Sequence, residues 1–286
     1  MDLSRRLQAL TGAAEVRALT AGHQSRAFEL SFADGRRRVA KVIDAALVDA
    51  TLVGTRAEMV AALAAIDPRV CGPLLVEGRY VNVIEHADGT TALVICTEFA
   101  DGEVPDVGDP VAAEAMGSTL AALHRSMARL EPRAIPRVAA LQAAKSDVGD
   151  DDVGNDDQLL HGDFNADNVR ISGTAARVFD FEDCGYGPRS FDVANALYMV
   201  LFSATVDGDI GRFAVFEEAF LRGYRTTSEE ALDPASVDRF VDLRVDAVSR
   251  WLDDLSTAPI GIRNSTPEWH ATLRAFVAGY IPRSRR

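Results

Sequence analysis

The chain has 286 residues, 48% of them hydrophobic and 26% charged, and a net charge of −13 at neutral pH. That length suits two domains or one two-lobed fold, and the acidic balance argues against nucleic acid or an anionic membrane as partner, since both repel it. Cys71, Cys96 and Cys184 are widely spaced and form no CxxC pair, which argues against a disulfide framework or a zinc site and for a reducing cytoplasm.

In chain order, the first six residues lack the charged-then-apolar pattern of a signal peptide. Residues 16–20 read as a short strand and 26–32 as an alternating one. Asp34-Gly35 is a hairpin turn. The third strand, 37–44, places Val39, Lys41 and Ile43 on one face and Val42 on the other. Residues 46–66 are rich in Ala and Leu at helical spacing and stop at Asp67-Pro68. Runs 79–85 and 91–98 flank Asp88-Gly89 as a second hairpin. The first part is therefore an antiparallel sheet carrying one helix. Residues 99–110 hold two Pro and two Gly and form a linker. This divides the chain into lobes 1–99 and 100–286, with a hinge near 98–104.

Beyond the linker, helices are expected over 111–130 and 134–144. A polar, acidic loop follows at 145–158, then short strands at 168–171 and 176–181 around Ser172-Gly173. Further helices are expected near 189–204, 209–226, 234–256 and 266–280. The longest apolar run, 191–206, contains Asp192 and Asn195 and is shorter than the roughly 18–20 residues a bilayer requires. No repeat recurs at a period of about 20–50 residues. A β-rich first lobe followed by an α-rich second lobe gives an α+β, bilobal chain.

Charge is unevenly placed. Residues 1–100 hold 12 acidic and 11 basic residues, and residues 101–286 hold 31 and 19, a net of −12. Such a surface keeps a protein in solution, and it also attracts a cationic small molecule. Only Lys41 and Lys145 among the 30 basic residues are lysines, so a lysine inside an apolar strand stands out.

One stretch carries chemistry: His161-Gly162-Asp163-Phe164-Asn165-Ala166-Asp167-Asn168, with Phe179-Asp180-Phe181-Glu182 downstream. Phosphoryl transfer needs a group to orient a hydroxyl and take its proton, a divalent cation on the phosphate oxygens, and a lysine on the upstream phosphates. Asp163, Asn168 and Asp180 supply those residue types in that order, and one amide and one carboxylate suit Mg2+. A Ca2+ loop beginning at Asp163 fails at its sixth position, Asn168, and at its twelfth, Thr174.

The motif HGDxxxxN followed by D-[FW]-[DE] resembles the aminoglycoside phosphotransferase family, a branch of the protein-kinase superfamily. The resemblance covers roughly residues 15–205. It implies a kinase-like fold, with Asp163 as base, His161 shaping the catalytic loop, Asn168 and Asp180 holding Mg2+, and Asp192 anchoring the loop from the next helix. His124, closing Leu120-Ala121-Ala122-Leu123-His124, is implied to be structural. Lys41 takes the place of the phosphate-binding lysine and Glu58 that of its ion-pair partner. Glu98, Phe99 and Ala100 occupy the hinge that holds the nucleobase of ATP or GTP. Gly22 and Ser25 lie in the phosphate-covering loop.

The implied activity is transfer of a γ-phosphoryl group to a hydroxyl. The expected acceptor is a small cationic molecule, an aminoglycoside or a basic peptide antibiotic. Glu182, Asp183, Asp246, Asp253, Asp254 and Glu268 would receive its ammonium groups. A housekeeping kinase of a small metabolite or of protein serine is the alternative. A nucleotide-binding module without catalysis is a further one, although Lys41, Asp163, Asn168 and Asp180 are all present. A cytoplasmic monomer is expected.

Overall fold

The computed structural model describes residues 2–19, 26–85, 89–143 and 157–285. Gly22, Ser25 and most of the acidic stretch 145–158 lie outside the described residues. The chain forms two compact units, Met1–Ala100 with Pro259–Asn264 and Asp101–Ala258 with Ser265–Arg286.

The first unit begins with α1 (Leu3–Thr11), then β1 (Glu15–Ala18), β2 (Arg26–Ser31), β3 (Arg37–Asp44), α2 (Ala50–Ile66), β4 (Val81–Glu85) and β5 (Thr91–Glu98). The sheet runs β1-β2-β3-β5-β4, antiparallel at every pairing. Alternation buries Phe28, Leu30, Ala40, Val42, Val94 and Cys96 together with Leu7 of α1, and Leu3 and Leu10 pack against the same cluster. The sequence reading gave this sheet one helix; α1 is a second. It ends where Gly12 takes φ 72° and its N–H bonds Gln8 O. The second helix starts later than its spacing suggested because Asp49 caps it, accepting from Thr51 N at 2.8 Å and Leu52 N at 3.3 Å. Lys41 lies in β3 opposite Ala27 of β2 and Ile95 of β5.

The second unit contains α3 (Pro110–Met127), α4 (Ala139–Ala143), β6 (Asp157–Leu160), β7 (Val169–Ser172), β8 (Ala175–Val178), β9 (Gly185–Pro188), α5 (Arg189–Val206), α6 (Ile210–Thr227) and α7 (Pro234–Asp253). A short α8 (Ile260–Arg263) belongs to the first unit, and α9 (Pro267–Gly279) returns to the second. Helix α5 is the hub, with Phe191, Val193, Leu197 and Val200 all buried. Helices α3 and α6 meet where Gly117 and Gly223 remove side chains. An added Cβ would lie 2.0 Å from Phe220 O at the first and 2.0 Å from Glu114 O at the second. The chain end is clasped to α7, with Asp242 accepting from Tyr280 Oη at 2.5 Å and Arg283 N at 2.7 Å. Among the described residues no helix is long and apolar enough to cross a membrane.

Candidate active site

Two short antiparallel pairings frame the motif. Strand β6 delivers the chain to His161, and β7 carries it away after Asn168. Strand β8 delivers it to Phe179 and Asp180, and β9 returns to pair with β6. In the β7–β8 pair Val169 faces Val178, and Phe179 N donates to Asn168 O at 3.1 Å. Asn168 and the residue before Asp180 are thus joined through the backbone. The pairing of β6 with β9 was absent from the sequence reading.

Asp163 is gripped from both sides. Asn168 Nδ2 donates to its backbone O at 2.9 Å and to its Oδ2 at 3.2 Å. Asn195 Nδ2, from α5, donates to its Oδ1 at 3.2 Å. Asn165 Nδ2 donates to Asp163 O at 3.0 Å and its Oδ1 accepts from Asp167 N at 2.8 Å, which fixes the turn. Burial pushes the Asp163 carboxyl above the ordinary carboxylate range. Arg244 pulls it back, the charge of Asp183 adds to the rise, and His161 and the Asn195 hydrogen bond oppose it; the net direction is up.

His161 ties the two halves together. Its Nδ1 accepts from Asp163 N at 3.3 Å, so its Nε2 carries the proton that reaches Phe179 O at 3.0 Å. The ring packs against Phe181 at 4.4 Å and edge-on to Phe164 at 5.8 Å. Gly162 has φ 84°, and a Cβ there would lie 2.2 Å from Asp183 O. Only glycine lets the two loops approach this closely. Asp180 itself sits at φ 68°, one of two non-glycine residues with positive φ among those described. Such a backbone is strained and is found at sites where the carboxylate's aim matters.

Behind the loop lies a buried polar network. Asp192 of α5 accepts from His161 N at 2.8 Å and Gly162 N at 2.9 Å. Its Oδ2 lies 3.1 Å from His124 Nε2, and His124 Nδ1 lies 2.8 Å from Tyr224 Oη. A carboxylate only accepts, so His124 carries its proton on Nε2 and Tyr224 donates to Nδ1. Burial would raise the Asp192 carboxyl, but the hydrogen bond from His124, the electrostatic pull of the His124 and His161 imidazoles and the Gly162 N–H outweigh it and hold it low.

The remaining expected residues are distributed as follows. Glu58 is exposed on α2, in the same unit as Lys41. Glu98 N donates to Gly72 O at 3.2 Å, and Arg37 stacks 3.9 Å over Phe99. Glu182 and Asp183 are half-buried and follow Asp180 directly. The other acids are exposed and dispersed over helix ends and faces. Asp246 is on α7, Asp253 lies 3.6 Å from Arg274, Asp254 accepts from Ser256 N and Oγ, and Glu268 is in the first turn of α9. Two residues that act on Asp163 escaped the sequence reading: Asn195, which donates to its carboxylate, and Arg244, whose charge reaches it. Asn195 had a signal, being a polar residue one helical turn after Asp192 in an apolar run.

The residues fit a divalent cation. Both hydrogen bonds from Asn168 Nδ2 go to Asp163, which leaves its Oδ1 as a hard oxygen donor on a residue whose backbone O is bonded by Phe179 N, next in the chain to Asp180. Among the described residues no three His, Cys, Asp or Glu side chains gather as a metal site. A cation held by Asn168 and Asp180 would take its other ligands from phosphate and water.

A carboxylate oriented by two amides, on a loop joined to a strained aspartate, in a chain of one sheet unit and one helical unit, defines a phosphotransferase with a protein-kinase-like α+β fold. The chain belongs to the phosphotransferase enzyme family, whose model matches residues 15–235. Solved structures share the fold. One is an amicoumacin kinase, hAmiN, in complex with AMP-PNP, Ca2+ and Ami (TM-score 0.74, 19% identity, covering 96% of this chain and 90% of that one). A second is a microcompartment-associated aminopropanol kinase (0.73, 18%, 96% and 93%). A third is a thermostable mutant of aminoglycoside phosphotransferase APH(4)-Ia with ADP and hygromycin B (0.59, 16%, 97% and 98%). No curated protein sequence matches the chain.

Proposed function

We propose that this enzyme transfers the γ-phosphoryl group of ATP or GTP to a hydroxyl of a small molecule that also carries an amine. The carrying observation is the Asp163 carboxylate held by Asn168 on one oxygen and Asn195 on the other. So held, Asp163 orients the acceptor O–H toward the γ-phosphorus. The new P–O bond forms as the bond to the β,γ-bridging oxygen breaks, and the acceptor proton passes late to Asp163. Asn168 and Asp180 would hold Mg2+, which neutralises charge on the phosphates. Lys41, with Glu58 as its partner, would hold the upstream phosphates, and Gly22 and Ser25 would cover them. Glu98, Phe99 and Ala100 would hold the base through their backbone groups, the Glu98 N–H being engaged by Gly72 O. A triphosphate donor supports a cytoplasmic setting for this chemistry.

The cationic acceptor is supported by the net −12 of residues 101–286 and by Glu182 and Asp183 beside the catalytic loop. The neighbours named for amicoumacin and hygromycin B favour an antibiotic. The one named for aminopropanol favours a metabolic amino alcohol instead. The test is nucleoside diphosphate release across a panel of aminoglycosides, basic peptide antibiotics, amino alcohols and a generic protein. Asp163→Asn should lower kcat by about 10²–10⁴ while leaving nucleotide affinity unchanged. Wild-type turnover by that variant would refute the base assignment.

A further inference from the structure

Arg244, on α7, makes no ion pair among the described residues, although its charge reaches Asp163. Its guanidinium carbon lies 5.6 Å from the Tyr198 ring and 5.5 Å from the Trp251 ring. It is half-buried and its Nε is buried without a hydrogen-bond partner. Among the described residues no carboxylate comes within 4.0 Å of it. Several other arginines of the second unit are matched. Arg283 has Asp238 and Glu217, Arg189 has Glu230, Arg212 has Asp207, and Arg222 has Glu114 and Glu218. In a unit this rich in acids, a shortage of carboxylates does not explain the gap at Arg244. A cation withdrawn from water and left unpaired is costly unless something else supplies the oxygens.

Its position says what that is. Asp163 has two sides. Asn168 holds Oδ2 from the side of Asp180, where the metal and phosphates belong. Asn195 holds Oδ1 from the side of α5. Tyr198 is one helical turn past Asn195, and Arg244 covers Tyr198. Asn195 is 1% exposed and its Oδ1 is a second buried atom without a partner. The unmet donor and acceptor therefore lie on the Asn195 side of Asp163.

We propose that Arg244 binds an acyl oxygen, a carboxylate or amide carbonyl, carried by the acceptor next to the hydroxyl that is phosphorylated. This rests on Asp163 being the base. A planar guanidinium matches two oxygens or one carbonyl, and it repels an ammonium group at the same place. The amine of the acceptor then lies farther from the hydroxyl, toward Glu182 and Asp183. The substrate class narrows to hydroxyacyl amines, and simple amino alcohols are disfavoured.

The test is ligand-observed NMR titration of the full chain with 3-hydroxybutyrate, 3-hydroxybutyramide and 1-amino-2-propanol. The wild-type protein should bind the acid and the amide about tenfold or more tightly than the amine, since a hydrogen bond to a charged group is worth that much. Arg244→Met should abolish the preference, and Arg244→Lys should keep part of the acid binding and lose the amide. AMP-PNP affinity should be the same in all three proteins. Tighter binding of the amine, no saturable binding of acid or amide, or unchanged preference in both variants would overturn the proposal. A fall in AMP-PNP affinity would assign Arg244 to the phosphates instead and overturn it too. Asp163→Asn should still bind the acid and the amide, so wild-type turnover by that variant would sink the base assignment without touching the binding result.

Discussion

Burial raises the Asp163 carboxyl, and the shift has a kinetic signature. A base must be ionised, so kcat/KM should fall on the acid side with unit slope, at a pH clearly above the ordinary value near 4. A pH–rate profile from pH 4 to 9 checks this; an acid limb at or below pH 4 would contradict the buried setting. Asp180 makes a second case at this scale. Its φ of 68° costs an L-residue about 1–2 kcal/mol, and glycine adopts that backbone freely. Asp180→Gly should therefore unfold at higher denaturant concentration while losing turnover. A variant both inactive and less stable would show that the carboxylate holds the fold rather than serving the chemistry. The motif residues were legible because their spacing is local, all within residues 161–182. Arg244 was not, because it meets Tyr198 only through the packing of α7 on α5, and no spacing in the chain encodes that.

Elements were legible where their period was long. Helices α3, α5, α6, α7 and α9 and the five-stranded sheet follow from runs of alternating or helical spacing. Helix α1 escaped because Leu3, Leu7 and Leu10 are its few apolar residues among Arg and Gln, and only the sheet beneath them gives the stripe its meaning. Strands β6 and β9 escaped because each has four residues, one of them reads Gly185-Tyr186-Gly187-Pro188, and the pair joins positions as far apart as Asp157 and Pro188. The α3–α6 contact makes its own prediction. Gly117→Ala and Gly223→Ala each force a methyl against backbone, where overpacking costs about 1–3 kcal/mol. Chemical denaturation should show each loss, with kcat of the folded protein unchanged. A neutral substitution at both would mean that the helices separate easily.

For the whole molecule, the Asp192 network decides the response to acid. Its carboxyl is held low in the folded state and is ordinary in the unfolded chain, so the unfolded state binds the proton more readily. That stability is fully present above the unfolded value near 4 and is lost as pH falls through the folded one. Asp192→Asn should flatten the acid limb of stability against pH and lower stability at neutral pH, read by denaturation at pH 3 to 7; an unchanged acid limb would place the acid sensitivity elsewhere. The same network has a consequence for motion. The amides of His161 and Gly162 end on a carboxylate that is itself locked to α3 through His124 and to α6 through Tyr224. In deuterium these two amides should exchange as slowly as those of the α5 core, opening only when the helical unit unfolds as a whole. The loop proposed to do the chemistry is then among the slowest-breathing parts of the protein, and motions during turnover would belong to other segments.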